Sequence, residues 1–158
     1  MTDAAAAADS SPTPASADDR VLLARVVDEA LSVARCSALV ASRASGAVVT
    51  FEGVVRDHDE GRGVTALHYE AHPNATEVIR EVALSIAVAH PEVRVAVEHR
   101  YGDLSIGDVA LACAVSSAHR AEAFAACAAL VDEVKARTPI WKRQEFADGS
   151  DEWTASLG

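Results

Sequence analysis

Between Val109 and Val115 the chain alternates two kinds of apolar residue. Val109, Leu111, Cys113 and Val115 fall on one side of an extended segment, and Ala110, Ala112 and Ala114 on the other. A strand that is apolar on both sides has to be covered on both sides, and a row of alanines lets the covering element come close. Other segments must supply those covers. Val21–Val27 reads as a strand, and Ser32 as the N-cap of a short helix near residues 33–42. Gly46–Val55 is a strand with Ala47, Val49, Phe51 and Val55 on one face. Arg56–Gly63 is polar and glycine-containing, the pattern of a mobile loop. Val64–Ala71 is a strand presenting Thr65, Leu67 and Tyr69 on one face. Pro73 suits the first turn of a helix reaching about His90, with Val78, Ile79, Val82, Ile86 and Ala89 at helical spacing.

Pro91 ends that helix, and Val93, Val95, Val97, His99 and Tyr101 alternate as the next strand. Gly102 and Gly107 bracket a turn-rich link into Val109–Val115. A last helix runs from about His119 to Arg137, with Phe124, Cys127, Leu130, Val131 and Val134 as its apolar stripe, and Pro139 stops it. Ile140–Phe146 is a short strand, Asp148-Gly149 a turn, and Trp153 packs after it. The order β, α, β, β, α, β, β, α, β lacks strict βαβ alternation. It predicts an α+β domain with a largely antiparallel sheet and packed helices.

Residues 1–19 are Ala, Ser, Thr, Pro and Asp with no large apolar residue after Met1. Such a tail cannot bury enough surface to offset its ordering entropy, so a disordered tail is expected ahead of a single domain over 20–158. The N-terminus has no basic and apolar leader, and no apolar run approaches the ~18 residues needed to span a bilayer, the pattern of a cytoplasmic protein. Lys+Arg number 14 against 24 Asp+Glu, a net charge of -10, which argues against nucleic acid and anionic membranes as partners. Cys36, Cys113 and Cys127 are odd in number, widely spaced and set among apolar neighbours, so they read as buried structural thiols. The histidines show no metal-ligand spacing, so neither a metal nor another cofactor is expected.

Of the 14 basic residues 12 are Arg, and Lys135 and Lys142 are the only lysines. An amine can lose its proton and act as a nucleophile or acid/base, whereas a guanidinium effectively cannot. Arg120, Lys135, Arg137, Lys142 and Arg143 fall within 24 positions, a local positive patch in an acidic chain. Arg120, beside His119, opens the last helix, whose N-terminus favours anions. Lys135 in its last turn also suits the helix dipole or a pairing with Asp132. Lys142 could equally be a solvated strand lysine. Arg56 follows an apolar strand at the mouth of a loop, a place for a binding residue or for an ordinary surface arginine. His99-Arg100 reads as structural. Lysines and arginines converging on a pocket suit a substrate bearing phosphate or carboxylate.

Five segments carry a family resemblance: Gly46–Val55 with Arg56-Asp57-His58; Leu67–Ala71; His99–Leu104; Ser117–Phe124; and Lys135-Ala136-Arg137-Thr138-Pro139-Ile140-Trp141-Lys142-Arg143. In order and spacing this set resembles the MoaE family, the large catalytic subunits of molybdopterin synthase, over about residues 20–155. The resemblance implies an α/β hammerhead fold and a central homodimer. It also implies a small ubiquitin-like subunit at each end, making a heterotetramer, whose C-terminal Gly-Gly tail carries a thiocarboxylate. Two sulfurs are then transferred to cyclic pyranopterin monophosphate, giving the molybdopterin dithiolene. Lys135 and Lys142 match the catalytic lysines. Val54, Val55, Arg56, His119 and Arg120 match substrate-binding positions, as do Arg143 and Gln144 in the segment after the second lysine.

One departure stands out. The family usually reads Trp-Lys-Lys/Arg-Glu, whereas this chain has Trp141-Lys142-Arg143-Gln144-Glu145. A one-residue slip would turn Glu145 to the opposite face, so Gln144 stands where the family has the acid. The alanine row Ala110-Ala112-Ala114 is a candidate subunit interface. Two other readings of the cationic patch are an anion-sensing α+β dimer without catalysis, and a Schiff-base lysine enzyme acting without a protein partner.

Overall fold

The computed structural model describes residues 15–155. In chain order its elements are α1 (Ala17–Arg20), β1 (Val21–Val27), α2 (Val33–Val40), β2 (Ala47–Val54), β3 (His58–Asp59), β4 (Arg62–Ala71) and α3 (Ala75–Ala89). After these come β5 (Arg94–Arg100), β6 (Gly102–Leu104), β7 (Val109–Ser117), α4 (Arg120–Arg137), β8 (Ile140–Phe146) and β9 (Asp151–Ala155). The α+β expectation with a mostly antiparallel sheet is met.

Two sheets form. The first has the order β1-β5-β7-β2. Only its β1–β5 pair is parallel; β5–β7 and β7–β2 are antiparallel. The doubly apolar segment is thus an inner strand, as its composition requires. Its larger face, Leu111, Cys113 and Val115, joins Val95 and Val97 of β5 under Ile79, Val82 and Ile86 of α3 and Leu130 and Val134 of α4. Ala112, Ala114 and Ala96 form the opposite face, and α2 lies on them through Cys36 and Val40. The alanine row is therefore filled from within the chain and is not a subunit interface. The capping of α2 by Ser32 is as expected, its hydroxyl accepting from the Arg35 N–H at 3.0 Å.

On this small-residue face Glu98 of β5 is fully buried, and one of its carboxylate oxygens accepts from Arg25 and Arg35. The second sheet runs β3-β4-β8-β9, with β6 also paired to β4.

Several local expectations are corrected. Residues 56–63 do not form an open loop. Glu60 and Gly61 adopt positive φ of 48° and 78°, closing a two-residue hairpin between β3 and β4 that matches the natural strand twist. The β4–β8 register shifts between Val64 and Ala66, so Val64 and Leu67 are both buried while Thr65 is exposed. The Gly102–Gly107 link contains β6, paired to β4 through Leu67 and Leu104. Pro73 precedes α3, whose N-cap is Asn74, and Ala89 at the other end is exposed.

On α4 the sheet-facing stripe is Ala123, Ala126, Cys127, Leu130 and Val134. The small alanines shift it by one position and leave Phe124 at 61% exposure. Trp153 is on the edge strand β9, half exposed rather than packed in a core.

Residues 1–14 of the expected tail lie outside the described residues. Its last part departs from disorder: Ala17–Arg20 form a helical turn with a Ser16–Asp19 capping box. Arg20 is buried, and its guanidinium donates to the carbonyls of Ala87, His90 and Val93, tying this turn to the end of α3. All three cysteines are buried and free. Burial pushes the Cys36 thiol up to about 11, and hydrogen bonding to Cys127 together with burial raises that of Cys113. No described helix is long and apolar enough to cross a membrane.

Candidate active site

The two sheets meet at a chamber of about 310 Å³, at the lower end of the usual range for small-molecule sites. One wall is the end of β2, where Gly53, Val54 and Val55 run into Arg56. Val55 is pinned there, its N–H donating to the Asp108 carbonyl and its carbonyl accepting from Gly107 N–H. A bulge at Gly53/Val54 turns the strand end toward the chamber. Leu67, Leu111 and Ala110 give an apolar floor.

Lys142 and Gln144 enter from β8. They are two residues apart and so share a face, opposite Tyr69 and Leu67 of β4. Lys135 enters from the last turn of α4. Among the described residues neither lysine is ion-paired. The alternative reading of Lys135 as a partner of Asp132 is not met there, whereas the neighbouring Arg137 is paired to Glu81 and Glu133.

Arg56, Asp59 and Gln144 are tied to one another at the chamber wall. Arg56 Nη2 donates to Asp59 Oδ1 at 3.0 Å, and Gln144 Nε2 donates to Asp59 Oδ2 at 2.9 Å. The Gln144 hydrogen bond, with the Arg56 and Lys142 charges, holds the Asp59 carboxyl below its usual range. His99, on β5, is 5% exposed and stands edge-on to Tyr69 at 5.2 Å between ring centroids. Its Nδ1–H donates to the Arg100 carbonyl at 2.9 Å, so Nε2 carries the lone pair. Burial, against the pull of that carbonyl, lowers its pKa to about 4, with Lys135 adding to the depression. The imidazole is therefore neutral at neutral pH. Burial raises the Tyr69 phenol.

Lys135, Lys142, Val54, Val55, Arg56 and Gln144 thus come together as the sequence led one to expect. Three others do not. Arg143 points to the other face of β8, beside Glu145 and Asp151 and over the Trp153 ring. His119 and Arg120 are exposed at the far end of α4, about 22 Å from Lys135 at 1.5 Å per residue.

Asp59, Tyr69 and His99 were missed. Asp59 sat in a segment that read as loop, and only the tight hairpin brings it back over β8. His99 ends a strand and by local pattern resembles any core histidine; the signal that could have found it and Tyr69 is their place in the family segments His99–Leu104 and Leu67–Ala71. Among the described residues no group of three His, Cys, Asp or Glu side chains is placed to hold a metal ion.

The arrangement offers three cations and one carboxylate around an apolar floor, with two unpaired amines on opposite elements. It suits an anionic substrate and a reaction in which negative charge builds up.

Known proteins resemble the chain in sequence and in fold. The family model described as MoaE protein matches residues 26–137. A molybdopterin synthase catalytic subunit of Nostoc sp. is 40% identical over 127 residues, 79% of this chain and 77% of the relative. Molybdopterin synthase catalytic subunit 1 of Mycobacterium tuberculosis is 43% identical over 132 residues, 82% of this chain and 88% of the relative. The crystal structure of molybdopterin synthase from Staphylococcus aureus superposes with a TM-score of 0.78 at 31% identity, covering 83% of this chain and 96% of that one. A family model matched across most of the chain, and relatives matched over three quarters of their own length, agree with the two lysines of the chamber: the chain belongs to the MoaE family, the catalytic subunits of molybdopterin synthase.

Proposed function

We propose that the chamber is where this catalytic subunit, acting as a single domain over residues 20–158, transfers sulfur to cyclic pyranopterin monophosphate. The donor is the thiocarboxylated Gly-Gly tail of a small ubiquitin-like subunit, and the product is the dithiolene of molybdopterin. The observation that carries this reading is the two lysines, without ion pairs among the described residues, that face one chamber from α4 and β8 in a chain that otherwise uses arginine. Phosphate and thiocarboxylate are both anions, which accounts for a cationic chamber in a protein of net charge -10. The sulfur arrives with the partner, so no cysteine is needed at the site.

The two lysines stand in different surroundings. Lys142 lies near the Asp59 carboxylate and Arg56, a setting for holding the substrate phosphate. Lys135 lies near the neutral imidazole of His99, which accepts hydrogen bonds without cancelling the ammonium charge. That suits a group stabilising the acyl carbon of the tail as sulfur leaves.

His119 and Arg120 join the site in this reading from a second copy of the chain. β2 is one of the two edge strands of its sheet, β1 being the other. It begins at Ala47, paired with Ser117 just before His119, and ends at Val54 on the chamber wall. Two β2 edges paired antiparallel about a two-fold axis set the start of one against the end of the other. The strand spans about 23 Å at 3.3 Å per residue, which matches the distance from Arg120 to Lys135 along α4. Exposed Val48, Val54 and Phe124 near this edge supply apolar surface for such a contact.

The test mixes the full chain with a thiocarboxylated small subunit and the pyranopterin precursor and measures dithiolene. Wild type is expected to form it. Lys135→Ala and Lys135→Arg are each expected to lower turnover at least ~10²-fold, as for a positioned catalytic group. Small-subunit binding should change far less. If Lys135→Arg keeps more than about a third of wild-type rate, Lys135 serves as charge alone and the anion-sensing reading gains. Borohydride trapping of a small carbonyl compound on the chain would support the Schiff-base reading instead.

A further inference from the structure

Asp59 is the one carboxylate among the residues lining the chamber. An acid in a chamber built for anions opposes binding by simple Coulomb repulsion, so its place there calls for a use. Its contacts give one. Gln144 is 4% exposed and fixed in the ladder between β4 and β9, paired with Leu67 and Glu152. It donates to one oxygen of Asp59, and Arg56 donates to the other. The Arg56 side chain is 66% exposed and has no other ion pair among the described residues. A long exposed side chain loses its position to rotamer freedom unless something holds it. The order of support therefore runs from a buried, rigid amide to a half-buried carboxylate and on to a solvent-facing guanidinium.

We propose that Asp59 is a positioning residue that sets the Arg56 guanidinium at the chamber for the substrate's anionic group. In the same proposal, residues 59 and 144 work as an acid–amide pair whose single negative charge can sit on either member. A hydrogen bond between amide and carboxylate is satisfied whichever partner carries the acid, whereas two carboxylates at that separation repel and two amides leave Arg56 without its counter-ion. This also explains how the chain tolerates Gln at position 144: the acid is supplied by Asp59 of the β3–β4 hairpin, hydrogen-bonded to it. The inference rests on the proposed function for its substrate but not for its geometry, and the test separates the two.

Four full-length proteins are compared: wild type, Asp59→Asn, Gln144→Glu and the double Asp59→Asn/Gln144→Glu. With thiocarboxylated small subunit in excess, each single substitution is expected to raise KM for the pyranopterin precursor about tenfold, with kcat within about threefold. The double substitution should bring KM back to within about threefold of wild type. A purely structural role would lower kcat and stability together with KM unchanged, rather than raise KM alone. NMR order of the Arg56 Nε–H, read without any substrate, should fall in Asp59→Asn and recover in the double. That readout decides the inference even if wild type forms no dithiolene, a result that would sink only the functional reading. An Arg56 equally ordered in wild type and Asp59→Asn overturns the proposal, and so does a double variant with KM no better than the worse single.

Discussion

At the scale of single residues, the chamber shows what a sequence can and cannot display. Two lysines among fourteen basic residues are visible on counting, and both line the chamber. His99 is invisible in that way, because its chemistry comes from burial under Tyr69 and from a carbonyl that fixes its tautomer. Its environment makes a measurable prediction. The folded chain holds the imidazole at about 4, whereas the unfolded chain has the ordinary 6.5. Below 6.5 the unfolded state takes up a proton that the native state refuses, so the stability from a neutral His99 is complete above 6.5 and is lost as pH falls toward 4. Two to three pKa units correspond to about 3 kcal/mol over that window. His99→Gln, whose amide can still donate to the Arg100 carbonyl, should lose less stability than wild type between pH 7 and 4.5 in urea titrations. Equal slopes in the two proteins would show that His99 protonates freely in the fold. Asp59 was hidden for another reason: whether an acid in Asp57-His58-Asp59-Glu60-Gly61 faces a site depends on a turn whose two positive φ values no residue other than Gly61 advertises.

At the scale of elements, periodicity carried most of the fold. Strand and helix order, the Ser32 cap and the proline stops at 91 and 139 all follow from local pattern and backbone sterics. The β6 pairing and the bulge at Thr65 do not, since both depend on which strand lies alongside. The same is true of what holds α2 to its sheet. The alanine face predicts a close cover but says nothing of Glu98, which sits fully buried beside it and is held by Arg25 from β1 and Arg35 from α2. One carboxylate oxygen has no partner among the described residues, so the arrangement depends wholly on the two guanidinium contacts. Breaking a fully buried pair typically costs about 3–5 kcal/mol. Here both arginines reach water, so Glu98→Gln should destabilise by about 2 kcal/mol, seen as a lower urea midpoint with an unchanged m-value. Arg25→Ala and Arg35→Ala should each cost less than Glu98→Gln, because the other arginine still compensates the carboxylate. If either equals or exceeds it, that arginine alone carries the pair.

At the scale of the whole molecule, the expectation that fails is the siting of a subunit interface on the alanine row. Small residues allow close approach, and along the alanine row that approach is made by α2 of the same chain. The free edge of β2 is a stronger candidate. An unpaired strand edge invites a partner, and this one runs from beside the His119-Arg120 start of α4 to the chamber. If two chains pair there, each chamber takes its lysines from one chain and its His119-Arg120 from the other. That division has a signature that no single-chain site can give. Lys135→Ala spoils both chambers of its own dimer, and so does Arg120→Ala. Random exchange between the two proteins makes half of the dimers mixed, and each mixed dimer holds one chamber with both residues intact. Activity should therefore rise from near zero in each protein to about a quarter of wild type in the exchanged mixture. Light scattering on the same samples should give about twice the chain mass. A mixture no more active than its two components would place His119 and Arg120 outside the working chamber. A chain mass of one copy at micromolar concentration would remove the second copy from the site altogether.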